Sequence, residues 1–318
     1  MNNECLFKPI QTKLYKTAQT RGADDDVIYQ NRVKRNSTVL IPYEDYEMCM
    51  QNPVYNGVYE NGYIVLIKPE EYFNTKTRCK LKKQRLKLGD NLLVFYETRR
   101  QWDKYPINKN WTVPNSRKAP LGGEYIARIP ATTSASMKKI SLGYNTTSLK
   151  GAGIRVYEYA DSKTIDLCRL QLEYIFWLCY DVDDFLYMCS DKERKELTKR
   201  RDKIMQAAVE KGVADRKKLL DARIINEKGH TICPLCLKEI SAIDFASKMV
   251  QAEGREVPDL TVTNVSLFHI QELRTGQFNH KLYNLGWGHH LCNVTIADNG
   301  VANTLKWMKD ILLANGLI

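Results

Sequence analysis

All five histidines of this 318-residue chain, His230, His269, His280, His289 and His290, fall after residue 226. Three of its nine cysteines fall there too, and they come in ligand-like pairs. Cys233-x-x-Cys236 sits in TICPLCL, and His289-x-x-Cys292 sits in WGHHLCN. A Cys-x-x-Cys turn lets two thiolates converge on one ion, and the x-x spacing of His289 and Cys292 matches it; His290 could replace His289, but the spacing favours His289. Cys233, Cys236, His289 and Cys292 therefore read as a structural zinc site with no open position. A redox role for the Cys-x-x-Cys alone would want a thioredoxin-like strand-helix-strand context, which the flanking sequence lacks. A set of buried thiols with unrelated histidines is the bland alternative. The remaining cysteines, Cys5, Cys49, Cys79, Cys168, Cys179 and Cys189, are scattered and read as small apolar residues.

The rest of the chain divides by texture. VLIPY at 39–43, GYIVLIK at 62–68, NLLVFYE at 91–97 and GIRVYEY at 153–159 are short β-branched and aromatic runs punctuated by Gly, Pro and Asn. Residues 1–160 thus read as a β-rich region. From 161 to 225 the apolar spacing turns helical, with Ile165, Leu167, Leu170, Leu172, Ile175, Phe176 and Leu178 on a broad face, followed by a charged helix at 191–212. This part reads as a connector or dimerisation region. Residues 226–318 form the third segment. The expected class is α+β: a β-rich N-terminal region, a helical connector and a zinc-stapled C-terminal module.

A net charge of +11 points to an anionic partner, with nucleic acid the default. Arg78, Lys82, Lys83 and Arg85 lie in the basic segment TKTRCKLKKQRLK at 75–87, read as a loop or a phosphate-facing surface. Arg99, Arg100 and Lys104 lie in ETRRQWDKY at 97–105. These seven are candidate DNA contacts, against the plain alternative of a solvated basic surface. No stretch reaches the ~18 uninterrupted apolar residues of a membrane span. The most apolar one, Leu170 to Met188, is broken by Gln171, Glu173, Asp181, Asp183 and Asp184. A cytoplasmic protein with reduced thiols is expected.

Between the two halves of the staple lies LFHIQELRTGQFNHKLYNLGWGHHLCN at 267–293. The order His269, Gly276, Asn284, then His289-x-x-Cys292-Asn293 resembles the HNH, or ββα-metal, endonuclease motif. That resemblance implies a β-hairpin carrying His269 as general base, a bracing Asn284, and Asn293 as ligand of a catalytic Mg2+ on the helix that follows. The chemistry suits the residue types. Phosphodiester hydrolysis needs a base of near-neutral pKa for the water proton, and a divalent ion for the charge growing on phosphate and leaving oxygen. The sequence departs from the family at Phe268, where a metal-binding Asp, Glu or His usually stands. Glu272 or His280 is then the candidate replacement ligand.

NHKLYNLGWGHHLCNV and GYIVLIKPEEYF further resemble BstXI-type restriction endonucleases. This narrower resemblance implies a homodimer cutting double-stranded DNA at an interrupted palindrome. A two-fold site calls for a two-fold protein. Two alternatives stay open: a non-catalytic zinc-containing DNA-binding protein, and a homing or nonspecific HNH nuclease.

Overall fold

The apolar runs of the first half are continuous rather than alternating, which suits strands covered on both faces. A computed structural model of the chain describes residues 8–14, 32–34, 38–47, 62–113, 123–129, 140–142, 160, 162–247, 250–252, 255–256, 263–272, 279–297 and 299–318. The expected strand at 153–159 and Gly276 lie outside these residues. Two compact units are present: residues 17–162 with 274–278, and residues 1–16, 163–273 and 279–318.

The first unit is built on a six-stranded sheet. Its strands are β1 (Arg32–Lys34), β2 (Thr38–Pro42), β3 (Gly62–Ile67), β4 (Leu92–Tyr96), β5 (Tyr125–Ile129) and β6 (Ile140–Leu142), in that spatial order. β2 through β5 are parallel, and only the edges β1 and β6 pair antiparallel. All five residues of β4 are buried. Helices are more prominent than the sequence led us to expect, because parallel neighbours must be joined by crossovers. The basic segment read as a loop is largely helix.

The second unit begins with α1 (Lys8–Leu14); the first unit carries α2 (Tyr43–Glu47), α3 (Pro69–Tyr72), α4 (Thr75–Lys83) and α5 (Arg99–Lys104). Asn74 caps α4 by accepting the Lys76 N–H at 2.9 Å. Thr98 and Gln101 form a reciprocal capping box on α5.

In the second unit, α6 (Ser162–Phe176), α7 (Val182–Tyr187), α8 (Asp191–Glu210) and α9 (Arg216–Asp221) come before a short two-stranded pair, β7 (Val250–Ala252) and β8 (Arg255–Glu256). The chain then forms the antiparallel pair β9 (Val265–His269) and β10 (Leu285–His289), α10 (His290–Ile296) and α11 (Gly300–Ala314). The helices expected to act as a connector share one core with the C-terminal module. Phe176 packs edge-on against Phe245, and Phe245 edge-on against Trp287, with ring centroids 5.0 and 4.9 Å apart. The Trp287 Nε1–H donates to the Leu172 carbonyl at 2.9 Å. Glu173 of α6 and Arg200 of α8 make a buried bidentate pair, at 2.5 and 2.9 Å. No helix among the described residues is long and apolar enough to cross a membrane.

Candidate active site and metal centre

Two neighbouring residues at the end of β9 have opposite surroundings. Phe268 is fully buried while His269, its neighbour, is half-exposed. The Phe268 ring lies against Gly288 of β10. A Cβ at 288 would stand 2.3 Å from ring carbon Cδ2, so only glycine fits there. Gly288, directly after Trp287, therefore makes room for core packing. Phe268 occupies the core and has no donor atom for a metal.

His269 ends β9, and its Nε2 lies 3.2 Å from Nδ1 of His280, so one ring donates an N–H to the other. The chain leaves β9 through 270–284 and returns at Asn284, which is almost fully buried. The Asn284 Oδ1 accepts the Gln271 N–H at 2.7 Å, and its Nδ2 donates to the Asn279 carbonyl. Its own carbonyl accepts from Ile270 at 3.0 Å. One side chain thus ties the start of the connection to its end.

The structure brings His269, His280 and Asn284 to one end of the β9–β10 pair. Glu272 follows just beyond, where its backbone abuts Gly300. A Cβ on Gly300, at φ +74°, would meet the Glu272 nitrogen at 2.6 Å. Val301 donates to the Ile270 carbonyl at 2.7 Å, which fixes the start of α11 on this segment. Asn293 sits midway along α10, half-buried, on a helix that packs against both strands.

At the other end of the pair, Cys233, Cys236, His289 and Cys292 place their ligand atoms within 4.8 Å of one another. Cys236 Sγ and His289 Nδ1 are 3.3 Å apart. A tetrahedral zinc would hold its ligand atoms about 3.5–3.8 Å apart, so the set fits that ion. The first pair sits on a tight turn: Cys233 donates to the Lys238 carbonyl at 2.9 Å, and Leu237 donates back to the Cys233 carbonyl at 2.8 Å. Leu237 takes the left-handed conformation, φ +61°, that this turn demands.

His289 is the N-cap residue of α10, which puts it and Cys292 on the first turn. Burial, then the neighbouring Cys233 and Cys236 thiols, push the Cys292 thiol up to about 12. Crowded thiols that resist ionising together are what a cation would relieve. His290 does not join them. Its Nδ1 lies 3.3 Å from Ser266 Oγ, and burial, with Lys13 nearby, lowers its pKa.

Among the described residues, no second group of three or more His, Cys, Asp or Glu has metal-binding geometry. His230, which carries no expected role, pairs with Glu239 at 3.0 Å.

In the sheet unit, Arg78, Lys82 and Lys83 project from α4 and are exposed, as is Arg85 just beyond it. Arg100 and Lys104 of α5 are exposed, whereas Arg99 is half-buried. An aromatic cluster gathers two of these cations. Phe73 stacks on Tyr105 at 5.6 Å, with Arg78 6.0 Å from the Tyr72 ring and Lys104 5.2 Å from the Tyr105 ring.

Sequence reasoning missed Gln171. Its fully buried amide accepts the Tyr283 N–H at 2.8 Å and donates to the Leu285 carbonyl at 2.9 Å. A lone glutamine inside the apolar face of a helix was the available signal.

A β-pair, a following helix and a Cys3His cluster lie in one unit, with a basic, aromatic-bearing sheet in the other. The model of the BstXI restriction endonuclease family matches residues 12–290. The chain belongs to that family. The matched span takes in Cys233, Cys236, His269, Asn284 and His289. No curated protein matches the chain. A solved structure described as "Crystal structure of a type II restriction endonuclease" is similar at 15% identity, over 51% of this chain. The chain spans 59% of that structure's length, with a TM-score of 0.29, too low to carry an argument about fold.

Proposed function

We propose that the chain is a type II restriction endonuclease whose C-terminal unit hydrolyses DNA phosphodiester bonds as a zinc-stapled HNH module. The observation that carries this reading is the paired arrangement of Asn284 and His269. A buried asparagine ties off the connection from which His269 and His280 emerge, beside a helix bearing Asn293. A zinc staple alone requires none of these residues.

In this reading Zn2+ is held by Cys233, Cys236, His289 and Cys292 and is structural. His269 accepts the proton of the attacking water while the water oxygen bonds to phosphorus. The P–O bond to the leaving sugar oxygen breaks, and that oxygen takes up a proton from solvent. His280 holds the His269 ring through the 3.2 Å contact. A Mg2+ ion, when bound, supplies charge stabilisation at the phosphate, with Asn293 as its expected ligand and His280 or Glu272 as further candidates. The described residues do not complete that second site. The exposed cations of α4 and α5, Arg78, Lys82, Lys83, Arg85, Arg100 and Lys104, contact the duplex, and the protein acts as a homodimer on an interrupted palindrome.

Incubating the protein with plasmid and genomic DNA in Mg2+ or EDTA tests this reading. Discrete bands only with the metal support it. A smear points to a nonspecific nuclease. One observation favours a second reading: Phe268 in the core leaves the position before His269 without a ligand. Binding without cleavage in any divalent metal would establish a non-catalytic zinc-containing DNA-binding protein instead.

A further inference from the structure

Helix α11 leaves the core after one turn. Gly300, Val301 and Thr304 are buried and Met308 is half-buried, but every other residue from 305 to 318 is exposed. Its composition does not match that exposure. Leu305, Trp307, Ile311 and Leu312 are 37–54% exposed, and Leu291 and Val294 on the adjoining α10 are 70% and 62% exposed. An isolated helical segment of this length is marginal in water, since most helical stability comes from packing an apolar face. The seam Val301, Thr304, Met308, Ile311 has 3-4-3 spacing and runs from the core straight out onto this surface.

We propose that α11, with the exposed flank of α10, is the surface through which two copies of this chain associate, the α11 helices packing antiparallel across a two-fold axis near Met308. The proposal rests on the homodimeric restriction-endonuclease reading and says where that dimer forms. Three observations select a second copy as the occupant. The first is area. At roughly 100 Å2 for each of these six half-exposed large apolar side chains, the surface offers on the order of 600 Å2. That is the share each partner gives at the lower end of stable interfaces.

The second is charge. Helix α11 carries only Lys306, Lys309 and Asp310, too few cations for a DNA-facing helix. Lys306 and Asp310, two residues either side of Met308, stand on the opposite face of the helix and leave the apolar seam uncharged, which suits a second copy of the same seam. The third is position. Helix α10 carries Asn293, so pairing through α10 and α11 couples two nuclease modules directly, as cutting both strands of a symmetric site requires.

The test is the molar mass of the full-length, zinc-loaded protein by sedimentation and light scattering, for wild type, Ile311→Asp on the seam and Lys306→Glu on the opposite face. Both positions are exposed, so the fold does not depend on them. We expect a wild-type dimer, an Ile311→Asp monomer and a Lys306→Glu dimer as tight as wild type. A monomeric wild type with clean DNA cleavage would overturn the dimer reading itself. A wild-type dimer that survives Ile311→Asp would overturn the assignment to α11 and leave that reading standing. A dimer lost equally in Lys306→Glu would overturn the placement of the interface on the apolar seam.

Discussion

Gln171 brackets Asn284: its side-chain amide holds the backbone of Tyr283 on one side and of Leu285 on the other. Tyr283 is in the left-handed region, φ +60°, so this turn is conformationally costly and is held by side chains from two elements. Removing Gln171 as Gln171→Ala leaves a backbone donor and a backbone acceptor without their partner. Each loss costs about 1–3 kcal/mol, so a drop of about 3 kcal/mol in unfolding free energy is expected. Asn284→Ala should cost about as much and should also lower cleavage, because the connection that carries His280 is released. A denaturant titration of each variant, with zinc content measured in parallel, checks this. An unchanged midpoint for Gln171→Ala would show that the bracket is incidental.

His269 and Phe268 are sequence neighbours with opposite fates, so their substitutions should separate cleanly. His269→Ala removes the proposed base and should lower the cleavage rate by 10^2–10^4-fold with little loss of stability, since the side chain is half-exposed. Phe268→Ala should instead cost about 3–5 kcal/mol through the cavity it leaves. Phe268→Asp, which puts a carboxylate where the HNH motif usually has a metal ligand, should unfold the module rather than create a ligand, because a carboxylate there is buried and unpaired. Single-turnover cleavage and thermal unfolding of the three variants decide the matter. A Phe268→Asp protein that folds and cuts faster would contradict the inward placement of this side chain.

Much of the C-terminal site is legible in sequence because its information is local. Two x-x pairs name the four donor atoms that lie within 4.8 Å of one another. The buried polar groups of α6 are a different case. Gln171 and Glu173 read only as interruptions of an apolar stretch, whereas each has a partner far away in the chain: Leu285 and Tyr283 for the first, Arg200 for the second. A polar residue inside an apolar face announces that a partner exists but not which one. The parallel sheet was hard to read for a related reason. Strand runs at 39–43, 62–68 and 91–97 are visible, but their pairing is set by crossovers, and the basic segment at 75–87 hides a helix whose single buried residue is Leu81.

The Glu173–Arg200 pair gives a sharp stability test. With both side chains nearly excluded from solvent, removing one partner strands the other's charge, so Glu173→Leu should cost about 3–5 kcal/mol. The double variant Glu173→Leu/Arg200→Met should recover most of that loss, since a packed apolar pair of similar volume avoids the desolvation cost. Urea unfolding of the wild type, Glu173→Leu, Arg200→Met and the double variant gives the coupling. Additive losses in the double variant would mean the pair is not the unit described here.

The metal centre should respond to pH in opposite ways with and without zinc. In the metal-free protein the Cys292 thiol is held up at about 12 instead of 9. Between those values the folded chain keeps a proton that the unfolded chain has lost, so stability should fall as the pH rises above 9. Zinc binds thiolate, so in the loaded protein the competition is with protons. Zinc should be retained at neutral and alkaline pH and released on acidification. Cys292→Ser should weaken zinc retention and lower the unfolding temperature without altering the basic surface of α4. Thermal unfolding from pH 5 to 10, with and without a chelator, measures both arms. A chelator that leaves unfolding unchanged across this range would sink the structural role of the site.

The cations of α4 make a prediction about salt rather than sequence. Lys82 and Lys83 are exposed at the end of a helix with no acidic residue of its own. If they contact phosphates, Lys82→Ala and Lys83→Ala should weaken binding about equally on cognate and unrelated duplexes. Each should reduce the slope of log affinity against log salt by about 1. Arg78 and Lys104 flank the aromatic cluster of Tyr72, Phe73 and Tyr105, where guanidinium and ring can meet a base edge. Arg78→Ala should therefore cost more on the cognate site than on unrelated DNA, by about 1–3 kcal/mol. Fluorescence anisotropy at several salt concentrations separates the two behaviours. Equal losses for Arg78→Ala on both duplexes would reduce it to one more phosphate contact.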